Sequence, residues 1–337
     1  MSSPQPEAAV PTPAEALKGL PPVAPPSGRF IVQLFLVPGL IVAVAVLILL
    51  GFKFLIGGSR SADQYLRDLD DPNEEVRWRA ANDLAQVLQR PESLSLASDP
   101  SASDPNFGLS LAERLREGVK KLEEAEDTAG KQLKYQRDVW QKVAARRNYV
   151  IFLIACLGNL TTPVGGPILG DLAKAGKAGD QNVTEIRIAI QHRQAILALA
   201  KLGENLKRFA EVPPEEKRKV LGELASEARG SSLRAQWARQ ALVYFRDNKP
   251  SGLENKLARR ALAGFKDKDK KPLGVEDALA TCARHDDPFE RKLVAFALKY
   301  WDPQQAESIL DDLMSDNGHG TIVPVDKLET KPQESDQ

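Results

Sequence analysis

The residue pattern best suited to binding chemistry is a basic run between residues 131 and 147. Cationic side chains with interleaved aromatic rings are typical of surfaces that bind nucleic acid or an anionic membrane. Four acidic residues precede the run, so we favour a charged helix face exposed to solvent and keep anionic lipid or nucleic acid as the alternative ligand. The run consists of Lys131, Lys134, Arg137, Lys142, Arg146 and Arg147, with Tyr135 and Trp140 between them.

Two acidic pairs are the candidates for catalytic carboxylates. The pairs are Asp70–Asp71 and Asp286–Asp287, and each stands directly before a proline. This position is typical of a helix start, where an aspartate side chain accepts hydrogen bonds from free backbone N–H groups. We therefore predict that these carboxylates cap helices and bond between repeats rather than act as general acids or bases.

The remaining residue types predict no catalytic, cofactor-binding or metal-binding residues. The three histidines are far apart in the sequence, so no set of metal ligands is predicted, and His192 is predicted to be structural. The glycine-rich run at residues 161–180 lacks the G-x-x-x-x-G-K-[ST] phosphate-binding motif. Cys156 and Cys282 are predicted to be small buried hydrophobic residues. We therefore do not expect an enzyme.

The elements that position these residues begin with an apolar segment from Phe30 to Phe52. No residue from Leu34 to Phe52 is charged or strongly polar. At a rise of 1.5 Å per residue the segment spans roughly 34 Å as a helix, enough for the hydrocarbon core of a bilayer. We predict one transmembrane helix, with a cleaved signal peptide as the weaker alternative because its apolar core is shorter.

Composition bounds the parts on either side of this segment. Residues 1–28 contain eight prolines and few residues that pack, which predicts a disordered tail. Two basic residues lie before the segment and three lie shortly after it, so the positive-inside rule slightly favours a cytoplasmic body. The chain has 46 basic residues, of which three precede residue 54, and 46 acidic residues, of which two do. The body from residue 54 onward therefore contains 43 basic and 44 acidic residues. A neutral body argues against nucleic acid as a partner.

The body repeats one helical pattern. In the first copy a short helix breaks at Asp70, and an amphipathic helix follows in which Val76, Ala80, Leu84 and Leu88 are predicted to share a buried face. The pattern starts at Arg77 and recurs in four later stretches, which begin at Arg146, His192, Arg234 and Arg291. The successive separations are 69, 46, 42 and 57 residues, of which the middle two fit two-helix repeats of about 40–47 residues.

Glycines near the ends of these helices are predicted to act as caps. Gly158 and Gly203 each follow an apolar helical stretch, where a left-handed backbone conformation commonly ends a helix.

Three of the repeated stretches resemble HEAT repeats. They are DDPNEEVRWRAANDLAQVL, HRQAILALAKLGENL and DDPFERKLVAFAL. The pattern of this family is an acidic turn, an arginine near the start of the second helix, a pair of small residues and a leucine, and the first and third stretches begin with the acidic turn. The resemblance covers about residues 61 to 316. It implies a right-handed stack of helical hairpins that usually serves as a protein-binding scaffold. Some families with such repeats are enzymes, either lyases or glycosylases, and this remains an alternative.

We therefore predict an all-α chain with one N-terminal transmembrane helix followed by an irregular HEAT-like α-solenoid. The expected function is a single-pass, membrane-anchored scaffold that binds a protein partner at the cell membrane. The predicted parts are a disordered tail at 1–29, a transmembrane helix at 30–57, a solenoid at 58–316 with a polar linker and charged helical insertion at 92–147, and a polar tail at 317–337.

Candidate interface residues are aromatic and arginine side chains that such a solenoid exposes, because these types dominate binding energy in interfaces. The equivalent arginines at the repeat starts have an alternative role, as a ladder of contacts between neighbouring hairpins. The candidates are Arg77, Trp78, Arg79, Tyr135, Trp140, Arg234, Trp237 and Arg291.

Overall fold

A computed structural model of the chain describes residues 36, 38–44, 46–48, 60–131, 137–175, 183–248, 252–284 and 287–316. All regular secondary structure in these ranges is helical, which confirms the all-α prediction. The chain divides into two compact units, residues 1–59 and residues 60–337.

The first unit is described only at positions 36, 38–44 and 46–48, which are helical with exposed side chains. The rest of the predicted transmembrane segment lies outside the described residues, as do residues 1–29 and 317–337. Among the helices that are described, none combines the length and the apolar character needed to cross a membrane.

The described part of the second unit contains twelve α-helices and four short 3₁₀ helices. The α-helices are α1 (Ala62–Leu69), α2 (Glu74–Leu88), α3 (Pro105–Lys131), α4 (Arg137–Gly158), α5 (Gly166–Ala175), α6 (Val183–Arg208), α7 (Pro214–Glu227), α8 (Leu233–Asp247), α9 (Leu253–Leu262), α10 (Val275–Cys282), α11 (Pro288–Trp301) and α12 (Pro303–Asp316). The 3₁₀ helices are Pro91–Leu94, Pro163–Gly165, Phe209–Glu211 and Asp267–Asp269.

The helices pack as hairpins. The second helices of four hairpins, α2, α4, α6 and α11, contact each other in that order, and we call these four helices the row. Each of them packs with the helix that precedes it in the chain, which is α1, α3, α5 or α10. Helix α12 packs on α11. Helices α7, α8 and α9 form a separate group that contacts α3 through α7 and α8. Because α6 packs directly on α11, the hairpins do not stack in strict chain order, and the repeat that begins at Arg234 lies outside the row.

The acidic turns lie at helix starts, but the predicted caps form only in part, because Asp70 and Asp71 precede the residue that caps α2 and Asp286 lies outside the described residues. The Asn73 side chain caps α2 by accepting a hydrogen bond from the Glu75 backbone at 2.9 Å, and Asp71 in turn accepts one from the Asn73 backbone at 2.7 Å. Asp287 caps α11 by accepting from the Phe289 backbone at 2.8 Å. These local bonds satisfy N–H groups that a helix leaves without intrahelical partners.

The cap prediction for Gly158 and Gly203 is wrong. Gly203 lies inside α6, Gly158 is the last residue of α4, and neither has a positive φ. A Cβ at Gly158 would lie 2.9 Å from the Cα of Ala198, and one at Gly203 would lie 2.7 Å from the Cβ of Tyr300 and 2.8 Å from Nε1 of Trp301. Both glycines are therefore needed for close approach between neighbouring helices of the row.

The predicted buried face of α2 is correct except at its first member. Ala80, Leu84 and Leu88 are buried, whereas Val76 is 37% exposed. Each step of four residues turns 40° further around a helix with 100° per residue, so Val76 lies 120° from Leu88 around the axis. That rotation carries Val76 out of the packed face.

Residues 92–147, predicted as a polar linker and charged insertion, supply a core helix. Leu109, Leu111, Leu115 and Leu122 of α3 are fully buried, and α3 packs along α4 as the first helix of that hairpin. The charged residues of α3 lie mainly on its other faces. Because these residues dominate the composition of the stretch, composition alone does not indicate that α3 has a buried face.

Candidate functional site

A polar cleft of about 410 Å³ opens between helices α1 to α4. Arg77 of α2, Arg114 and Lys121 of α3, and Arg146 of α4 line it, and Tyr149 of α4 lines it too. We call this cavity the basic cleft. Its four cationic side chains come from three different helices, so it exists only because those helices pack together.

Acidic partners on α3 and at the end of α1 hold two of these cations. Arg114 donates to the Asp70 carboxylate through Nε at 3.0 Å and Nη2 at 2.5 Å. Lys121 pairs with Glu117 at 2.5 Å between Nζ and Oε1. The hydrogen bond from Lys121 keeps the pKa of the Glu117 carboxyl below its usual value. Glu117 is therefore negative at neutral pH, and the two ion pairs offset part of the positive charge of the cleft.

The other two cations share one carboxylate. Arg146 Nε donates to Glu74 Oε1 at 2.6 Å, which links α4 to α2. Arg77 Nη2 lies 3.6 Å from the same oxygen. Three carboxylates thus face four cations, which leaves one positive charge in excess within the cleft.

Tyr149 orients the side chain of Arg77. The Tyr149 hydroxyl donates to the Leu69 carbonyl at 3.2 Å, and burial raises the pKa of this hydroxyl, so it stays neutral. The Arg77 guanidinium lies 5.7 Å from the centre of the Tyr149 ring, within cation–π range. A Cβ at Gly118 would lie 3.1 Å from the ring, so the glycine makes room for the tyrosine.

A second surface lies on α6 and α11. Ile190 and Leu197 of α6 are 36% and 38% exposed, and Phe289 of α11 is 55% exposed. We call Ile190, Leu197 and Phe289 the apolar face. Arg193 lies over the Phe289 ring at 5.4 Å and is fixed by an ion pair with Glu290 at 3.1 Å, so it joins the two helices at this surface.

Buried groups behind this surface have structural contacts. His192 is buried, its Nδ1 hydrogen-bonds with the Ala173 carbonyl, and its Nε2 lies 3.5 Å from a carboxylate oxygen of Glu290. Cys156 and Cys282 are buried free cysteines, as predicted, and burial raises the pKa of the Cys156 thiol. In the ranges that the structure covers, no group of His, Cys, Asp and Glu side chains has the arrangement of a metal site.

Three sequence candidates belong to α2, and two of them, Trp78 and Arg79, contact the same glutamate. Trp78 is half-buried, stacks on Phe152 of α4 at 6.2 Å, and donates from Nε1 to Glu75 at 2.8 Å. Arg79 pairs with the same glutamate at 2.7 Å and remains 66% exposed. Arg77 points into the basic cleft instead.

The two candidates on α8 are engaged in contacts within the protein. Arg234 donates to Glu227 at 2.9 Å and to Ser110 and Glu113 of α3 at 3.0 and 3.2 Å, so it holds α8 against α3. Trp237 is 4% exposed and lies in the core, where it has no access to a partner.

The other candidates are dispersed. Trp140 is 38% exposed on α4, and Arg291 is partly buried on α11. Tyr135 lies outside the described residues. Within the basic run, Arg146 and Arg147 pair with Glu74 and Glu126. These pairs reduce the positive charge that the run offers to an anionic surface.

Contacts between hairpins form through Arg146, which is one of the arginines at the repeat starts, and through Arg193, which follows the repeat start at His192. Arg146 joins α4 to Glu74 of α2, and Arg193 joins α6 to Asp287 and Glu290 of α11. These arginines come from the second helices that make the row, whereas Arg234 lies on a helix outside it.

Sequence reasoning missed Arg114 and Lys121 of the cleft and all three residues of the apolar face. Phe289 carried a usable signal, because it is a large apolar residue outside the i, i+4 spacing of the buried Val294 and Leu298. Arg114 and Lys121 carried none, since they are two of many charged residues on α3.

Comparison of the chain with family models, curated proteins and solved structures gave no significant match. Its function is therefore inferred from the chemistry of the basic cleft and the apolar face.

Proposed function

We propose that this protein is a single-pass, membrane-anchored scaffold of HEAT-like helical hairpins that binds a protein partner at the cell membrane. The observation that carries the proposal is the apolar face. Leu197 and Phe289 are large apolar side chains left exposed on two helices that pack directly on each other. Exposed apolar side chains gathered in this way are typical of interaction surfaces.

The chemistry around the apolar face favours an acidic, amphipathic helix as the bound segment of the partner. Lys292 is exposed on α11 beside Phe289 in sequence, and Lys207 of α6 lies 4.8 Å from the centre of the Tyr300 ring of α11. Apolar anchors at helical spacing would contact Leu197 and Phe289, and acidic residues would meet these lysines.

The membrane anchor is supported by the sequence of Phe30 to Phe52, which is long enough and apolar enough to span a bilayer. The basic residues around this segment favour a cytoplasmic position for the helical body. Anchoring would confine the partner to the membrane surface and so raise its local concentration there.

The test is proximity labelling in cells with the full chain and with the double variant Leu197→Ser, Phe289→Ser. We expect the variant to lose at least tenfold in enrichment of one reproducible set of proteins, because the two removed anchors together weaken binding by about 2 kcal/mol or more. Val76→Ser is the matched control, since Val76 is an exposed apolar residue of α2, two positions away from α6 in the row.

Both parts of the proposal have a contrary outcome. Equal labelling by the double variant and by Val76→Ser would show that the apolar face recruits nothing. Release of the full chain from membranes by alkaline carbonate, in the same way as a variant deleted for residues 34–52, would contradict the anchor.

A further inference from the structure

The basic cleft holds a charge that its own acids do not neutralise. Arg77, Arg114, Lys121 and Arg146 face the carboxylates of Asp70, Glu74 and Glu117, which leaves one positive charge in excess. An excess cation in a concave site attracts an anion more strongly than the same charge on an open surface, because the low-dielectric walls focus its field.

Arg77 is the member with unused hydrogen-bonding capacity. In the described ranges its guanidinium makes no hydrogen bond, and its ion-pair contact with Glu74 spans 3.6 Å. That Glu74 oxygen already accepts from Arg146 at 2.6 Å. The Arg77 side chain is 18% exposed and lies over the Tyr149 ring, so its donors are positioned before any ligand arrives. A planar guanidinium with free donors is suited to the two oxygens of a carboxylate.

We propose that the basic cleft binds one carboxylate group of a ligand through Arg77, at a site separate from the apolar face. The single excess charge matches the charge of one carboxylate. A phosphate monoester concentrates about two negative charges on one group at neutral pH, which exceeds the single excess charge and would leave the occupied cleft with a net negative charge. The volume of about 410 Å³ is in the range of small-ligand sites and accommodates a glutamate side chain or a small organic acid.

The entrance of the cleft is consistent with this ligand. The Lys121 side chain is 52% exposed and its partner Glu117 is 63% exposed, so the pair can rearrange at small cost when an anion enters. Lys121 would then contribute attraction at the rim, while Arg77 would make the directional contact inside.

The experiment measures fluorescence anisotropy of a fluorescein-labelled hexaglutamate peptide with the full chain in neutral detergent micelles at low salt. We expect Arg77→Gln to weaken binding at least tenfold and Arg79→Gln to change it less than twofold. The two variants remove the same charge from the same helix, but Arg79 pairs with Glu75 outside the cleft and is 66% exposed. Glutarate competition then separates a small organic acid from a peptide as the source of the carboxylate.

A second pair of variants covers the case in which Arg77→Gln fails to fold. Lys121→Gln at the rim should weaken peptide binding about threefold, whereas Lys120→Gln, whose side chain is 77% exposed and outside the cleft, should not. Equal affinities within both pairs would overturn the proposal. So would inorganic phosphate that displaces the peptide at lower concentration than glutarate, or vesicles with anionic lipid that bind in an Arg77-dependent way when the peptide does not.

The proposed carboxylate site can be tested independently of the proposed partner at the apolar face. The double variant Leu197→Ser, Phe289→Ser should bind the hexaglutamate peptide with unchanged affinity, because neither residue lines the cleft.

Discussion

Tyr244 of α8 packs edge-on against Trp301 of α11, with ring centres 5.7 Å apart. Burial is the main cause that raises the pKa of its hydroxyl to about 12, from an ordinary value of about 10. The folded protein therefore holds this proton at a pH where the unfolded chain has released it. The contribution of Tyr244 to stability is complete below pH 10 and is lost as the pH rises toward 12.

We predict that the free energy of unfolding falls more steeply between pH 10 and 12 in the wild type than in Tyr244→Phe. The difference between the two should reach about 2 kcal/mol, because one unit of pKa corresponds to about 1.4 kcal/mol. Urea unfolding at several pH values measures it. Parallel curves for the two proteins would show that Tyr244 is not protected from ionisation by the fold.

Arg77 and Trp237 show how much of a residue's role can be predicted from its type alone. Each belongs to a residue type favoured in interfaces, yet Arg77 faces a cleft and Trp237 lies in the core. Residue type carries the chemistry of a side chain but not its direction. Direction depends on the phase of the residue around its helix and on which helix packs beside it, as Val76 also shows.

Helix starts were the most predictable elements because caps are local. Asn73 and Asp287 bond to backbone groups two residues away, so the sequence near each start contains the whole interaction. The role of α3 was not predictable in this way. Its buried leucines pack along α4, so their role depends on a contact with another helix that the local sequence of α3 does not specify.

Close contact between helices of the row depends on glycine. A methyl group at Gly203 would meet Tyr300 and Trp301 at less than 3 Å, and Trp301 donates a hydrogen bond from Nε1 to the Leu199 carbonyl at 2.8 Å. Any adjustment that accommodates the methyl group would disturb this bond and separate α6 from α11.

We predict that Gly203→Ala lowers the free energy of unfolding by about 1–3 kcal/mol, the usual cost of overpacking a tight contact. Gly222→Ala is the matched control, because Gly222 also lies inside a helix, α7, but a methyl group there would have no neighbouring atom within 4 Å. Alanine at this position should stabilise the protein by about 0.5–1 kcal/mol through its better helix propensity. Thermal unfolding of both variants decides the matter, and a stabilising Gly203→Ala would contradict the described α6–α11 contact.

The order in which the hairpins pack on each other is a property of the whole molecule and not of any single helix. The repeated pattern orders the stretches from Arg146 to His192, Arg234 and Arg291 along the chain. The structure instead joins α6 to α11 and leaves α8 in a separate group with α7 and α9. Each amphipathic helix has an apolar stripe that several neighbours would satisfy, so periodicity gives the number of helices but not their partners.

Both candidate sites arise from this order of packing. The basic cleft needs α2 and α3 both packed on α4, and the apolar face needs α6 packed on α11. Arg77 was identifiable from the repeat and Phe289 from its place outside the buried spacing of its helix, but Arg114 became a candidate only once its neighbours were known. The sequence near Leu197 or near Phe289 does not indicate that their helices, far apart in the chain, pack together.

We propose that a protein partner binds at the apolar face and that the chain is anchored in the membrane. Site-specific photo-cross-linking in cells tests it most directly, with a photoreactive amino acid placed in the full chain at Leu197, Phe289 or Val76. We predict one discrete adduct to the same protein from Leu197 and Phe289, and none from Val76. Adducts of equal yield from all three positions, or none from Leu197 and Phe289, would contradict the account.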